Sequence, residues 1–95
     1  MPYPTISGQK TVAAAGTAEP LGTTQIDGPL LVRALDTNTD IVAIGNDGAD
    51  DVTVSNGTRL SAGQPIVFAH VDNLAAIILD VAVNGEGVSW IKLDV

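Results

Sequence analysis

The sequence predicts an all-β domain: a small β-sandwich of about eight short antiparallel strands. Three observations carry that expectation. Turn signals recur every eight to twelve residues or so along the chain. The segments between them are short and rich in Val, Ile and Leu, which suit a pleated surface. Several of them alternate apolar with polar, so that successive side chains face opposite sides.

Taken in order, Met1–Gly8 holds two prolines and a glycine and reads as an extended N-terminal arm, with one domain over 9–95. A strand is expected at about 9–15, because Gly16 stops any helix that Ala13–Ala15 would start. A short strand then ends at Leu21. Thr23–Pro29 reads as a turn, since Asp27-Gly28-Pro29 sets a left-handed-tolerant pair beside a locked φ. Leu30–Asp36 and Asp40–Asn46 read as a hairpin whose apolar residues run almost without break, as in a strand covered on both faces. Arg33 interrupts that run and is expected to snorkel to a rim.

Val52–Ser55 alternates cleanly. Asn56-Gly57 is the pair that a type I′ turn asks for, and Thr58–Leu60 is the return strand. Pro65 opens the next strand, where a missing N–H does least harm. Leu74–Val83 is expected to be a strand because Ile77, Ile78, Val81 and Val83 are β-branched. Asn84–Gly87 is a turn. In the last segment Ile91, Leu93 and Val95 alternate against Lys92 and Asp94, and Trp90 is expected in the core as the one large ring among aliphatic neighbours. Eight such strands fit a jelly-roll or immunoglobulin-like arrangement.

Bulk composition narrows the functions. Eleven acidic against four basic side chains give a net charge of −7. Lys10, Arg33, Arg59 and Lys92 are scattered, so neither nucleic acid nor an anionic membrane is an expected partner. Cysteine is absent, which removes disulfides and thiol chemistry. The opening residues lack the apolar stretch of a secretion signal, and the longest apolar run, Leu74–Leu79, is far short of the roughly 20 residues of a spanning helix.

Reactive chemistry is sparse. His70 and Asp72 stand at i and i+2, within reach on one strand face, but no nucleophile motif accompanies them. His70 reads as a strand-end histidine in contact with water. Asp47, Asp50 and Asp51 cluster around Gly48, yet their spacing does not match a calcium loop, so a solvated acidic turn is expected. The glycines form no phosphate cradle. No catalytic, cofactor-binding or metal residue is assigned, no cofactor is expected, and the chain does not read as an enzyme.

Three segments carry a resemblance: TVAAAGTAEPL, LVRALDTNTDIVAIGNDG and GTRLSAGQPIVFAHVDNLAAIILDVAVNGEGVSWI, together most of residues 11–91. Their turns and strand patterns resemble the capsid decoration, or cement, proteins of tailed bacteriophages and related small β-sandwich virion proteins. The sequence departs from that pattern at Asp40, where a glycine commonly follows Asn-Thr, and at Ile77-Ile78, in place of a more aromatic strand. The resemblance implies a protein on the outer capsid surface, made in the host cytoplasm. Its partner would be the major capsid protein, whose neighbouring copies it bridges, and it would form a homo-oligomer, with a trimer favoured. The same resemblance leaves room for a fibre or tail module that binds a host receptor or glycan. The candidate subunit contacts are Tyr3, Pro4 and Ile6 in the arm and Leu31, Arg33, Leu35, Val42 and Ile44 in the apolar hairpin.

Overall fold

Side-chain alternation sets the strands. In the longest, β3 (Gln25–Ala34), the even-numbered Ile26, Leu30, Val32 and Ala34 are buried while Asp27 and Arg33 are exposed. The computed structural model describes residues 7–46, 52 and 57–93. The other strands are β1 (Ser7–Thr11), β2 (Glu19–Pro20), β4 (Val42–Gly45), β5 (Thr58–Leu60), β6 (Pro65–Asn73), β7 (Ile78–Val81) and β8 (Gly87–Lys92). They form two antiparallel sheets of four, ordered β1-β8-β3-β6 and β2-β7-β4-β5.

The pairing has a simple rule. β1 pairs with β8, β2 with β7, β3 with β6 and β4 with β5, as in one long hairpin folded over on itself. Folding it over adds the β3–β8 and β4–β7 ladders, which complete the sheets. Leu30, Val32, Val88 and Trp90 from the first sheet meet Val42, Ile44, Leu79 and Val81 from the second in one core. Among the described residues the core is aliphatic apart from Trp90 and the half-buried Phe68 that packs against it.

Several expectations change. Ser7 and Gly8 are not arm but strand, paired with Ile91 and Trp90; the rest of the arm lies outside the described residues. The first strand ends at Thr11 and not at Ala15. Beyond it, the exposed Ala13–Gly16 turn is pinned by side chains of the second sheet's end: Ala15 N–H donates to Asn84 at 2.7 Å and Gly16 N–H to the buried Asp80 at 3.0 Å. The expected turn at Thr23–Pro29 lies largely inside β3, since the strand starts at Gln25.

The local chemistry of that turn survives as a bulge. Asp27 has φ 52°, the left-handed conformation that Asp tolerates better than most residues. Between Gln25 and Gly28 the strand advances three residues while β6 advances two, from Asn73 to Val71. Between Gly28 and Leu30 the excess reverses, with two residues on β3 against three on β6, from Val71 to Phe68. The two bulges offset each other and restore the register beyond Leu30.

Leu30–Ile44 is not a hairpin, because β3 and β4 belong to different sheets and the chain crosses between them. β4 is nonetheless covered on both faces: Val42, Ala43 and Ile44 are all buried, with β7 and β5 on its flanks. Leu74–Val83 divides into a 3₁₀ turn at Leu74–Ala76 and the strand β7. Asn73 makes the division, its side chain accepting from Ala75 N–H at 2.9 Å as an N-cap. The expected Val52–Ser55 strand lies outside the described residues except for Val52, which is buried.

Candidate interaction surface

The outward face of the first sheet is built by register. Leu31 of β3 pairs with Ile91 of β8 on one side and Val67 of β6 on the other. All three side chains point away from the core, giving one apolar row straight across three strands. Val67 is 58% exposed and Ile91 42%, and Leu31 between them is half-buried. Single exposed apolar residues are ordinary; here three stand in register across adjacent strands.

Arg33 stands two residues along the same face. Its Nε donates to the Gly63 carbonyl at 3.0 Å and its Nη2 to Asp36 at 3.1 Å. The guanidinium is thus held at the rim of the apolar row. Leu35 is half-buried just beyond the strand, where its N–H donates to Gly87 O at 3.1 Å.

The sequence-based contact residues therefore separate. Leu31 and Arg33 lie on the outer face. Val42 is wholly buried and Ile44 is 2% exposed, so neither offers a side chain to a second subunit; both belong to the core because β4 lies in the other sheet. Tyr3, Pro4 and Ile6 lie outside the described residues, as does the acidic loop Asp47–Asp51.

Val67 and Ile91 were not among the residues singled out from sequence. In β8 the inward residues are Val88 and Trp90, so Ile91 points out and Lys92 takes the half-buried inner phase. The expected alternation of Ile91 against Lys92 is kept, and the buried Trp90 settles which of the two faces outward. Trp90 was the available signal: a ring that belongs in the core fixes its neighbour Ile91 on the opposite face.

Behind this face, an open groove of about 560 Å³ runs between the edge of the first sheet and the second sheet. Phe68 and His70 of β6 form one wall, and Ile44 and Thr58 contribute to the other. His70 is exposed, with its Nε2 2.7 Å from Asp72, the i, i+2 contact that a strand allows.

At the opposite end, polar groups lock the first sheet to the loop after β3. The Asn38 side chain is buried; its Nδ2 donates to Gly87 O at 2.8 Å and its Oδ1 accepts from Gly87 N at 3.3 Å. The Glu86 carboxylate accepts from Thr39 N, Thr39 Oγ1 and Asp40 N at 2.7, 2.8 and 3.3 Å. Desolvation pushes Glu86 up, but these hydrogen bonds outweigh it and hold the carboxyl below the ordinary glutamate value. Glu19 is lowered as well, chiefly by the hydrogen bond from Lys10 and by its charge, across a 2.8 Å ion pair that ties β2 to β1.

No protein-family model matches the chain, and no curated protein or solved structure matches it.

Proposed function

We propose that this chain is a structural protein of a bacteriophage virion, which decorates the capsid and stabilises it by bridging neighbouring capsid proteins. The observation that carries the proposal is the strand order. Sheets ordered 1-8-3-6 and 2-7-4-5 have the pairing of a jelly roll, a β-sandwich used in viral capsid and lectin domains. The resemblance of the turn and strand pattern to decoration proteins points the same way. A fold alone assigns no function, so the reading also needs a surface.

The row Ile91–Leu31–Val67 supplies that surface. Each contact it makes is small, but a subunit or trimer that grips several capsid proteins benefits from effective concentration. The net charge of −7 suits an outward position better than one facing packaged DNA.

The test is copy number and location. Purified particles should carry the chain in numbers comparable to the capsid protein, on the head, and Val67→Glu should reduce its retention on particles. A few copies confined to the tail would favour the second reading, a fibre or tail module for a host glycan. The open groove beside Phe68 and His70 is the feature that favours that reading. Glycan-array binding by the isolated chain would decide for it.

A further inference from the structure

We propose that Asp27, His70 and Asp72 form a binding site for a divalent transition ion of the Zn²⁺ class. Their ligand atoms all lie within 4.8 Å of one another. Two carboxylates converge on one ring nitrogen: His70 Nε2 is 2.7 Å from Asp72 Oδ1 and 3.8 Å from Asp27 Oδ1. A proton on Nε2 satisfies only the nearer oxygen, since 3.8 Å is beyond hydrogen-bond distance. Asp27 is left facing a second carboxylate across a shared donor, an arrangement that a cation in place of the proton would relieve.

The distances suit such an ion. Donors held about 2.0–2.2 Å from a tetrahedral metal lie roughly 3.3 Å apart. The observed 2.7 and 3.8 Å straddle that spacing, so small side-chain rotations close the site. All three groups are exposed, which leaves room for water to complete the coordination. An imidazole with two carboxylates favours zinc, nickel or copper over calcium or magnesium.

The backbone explains the convergence. The two offsetting bulges of the β3–β6 ladder fall where two of these residues sit. Asp27 lies in the extra residue on β3, and His70 lies in the extra stretch of β6 between Phe68 and Val71. Without the bulges, a regular ladder would hold these side chains at fixed cross-strand spacings. With them, Asp27 is aimed across at His70 and Asp72. A bound ion would tie β3 to β6 where their register is least regular.

The chain has one histidine, so its ring nitrogens can be followed without ambiguity. Long-range ¹H–¹⁵N spectra of the purified chain, titrated with ZnCl₂ in metal-free buffer, should shift Nε2 while Nδ1 keeps its proton. CaCl₂ should leave both unmoved. Calorimetric Zn²⁺ affinity should fall about tenfold or more in Asp27→Asn and in Asp72→Asn. Asn tolerates the left-handed backbone at position 27 as well as Asp does, so that variant should fold, which circular dichroism checks. Asp36→Asn should bind as tightly as the unchanged chain. The proposal is overturned if neither ring nitrogen responds to Zn²⁺, or if Asp27→Asn binds zinc undiminished.

Discussion

Two ends of the first sheet use polar side chains in opposite ways. At the start of β8, Asn38, Glu86 and Gly87 are joined by five hydrogen bonds that fasten the 38–40 loop. At the start of β3, Asp27, His70 and Asp72 stand in water and share one short contact. The first group is consumed by the fold: every donor there has one acceptor, and a buried amide without its partner would cost stability. The second is spare, because solvent can satisfy each group alone. Substitutions at the lock should therefore be read as lost stability, and substitutions at the bulges or on the outer face as lost binding.

The sharpest test of the lock is Gly87→Ala. A Cβ there would run into the Lys10 carbonyl oxygen and come within 2.7 Å of Thr11 Cα, both backbone of β1. The strand would have to shift, and urea denaturation should show a loss of about 3 kcal/mol. An unchanged midpoint would mean that β1 pairs loosely. Asn38→Ala comes next. It removes both side-chain bonds to Gly87, whose carbonyl keeps only the Leu35 N–H, for a loss of about 2 kcal/mol in the same assay.

The acid response follows. Glu19 and Glu86 both sit below the ordinary value of 4.5, so the unfolded chain binds protons more readily than the folded one. The stability they contribute is present above that pH and is lost as pH falls through their lower folded values. Glu86→Gln should flatten the decline of Tm on acidification; a decline of unaltered steepness would place the sensitivity elsewhere. The smallest effect belongs to the outer face. Val67→Ser should alter stability by no more than about 0.5 kcal/mol, as for other exposed sites. A larger loss would show that Val67 already supports the isolated fold.

Much of this architecture was legible in the sequence, and the exceptions have physical causes. The all-β composition, the opening of β6 at Pro65, the Gly85 turn and the buried Trp90 all follow from local rules. Pairing was harder. Leu30–Ile44 has the sequence of a hairpin, but the chain after Ala34 crosses to the other sheet, and on the way Asn38 ties the crossing loop back to Gly87 of the first sheet. Nothing local distinguishes a loop that returns from one that crosses. Asp27-Gly28 looks like a turn because a bulge and a turn both require positive φ. The outer apolar row was only half visible: Leu31 was readable within its run, whereas Val67 and Ile91 acquire meaning only when three strands lie side by side. The Asp80 carboxylate, buried and holding the Gly16 turn, gave no signal at all, since its partner is 64 residues away.

The place of β8 between β1 and β3 has a consequence for biosynthesis. β8 follows β1, β3 and β6 in the chain, so the first sheet stays in two pieces until it arrives. Until then the backbone groups of β3 that pair with β8 lack that ladder and present an open strand edge to chaperones or to other nascent chains. Closure is then a late, nonlocal event, and such topologies fold slowly compared with helical chains of similar size. For a protein of this design, the interval between synthesis of the third strand and arrival of the eighth is when association between nascent chains is expected.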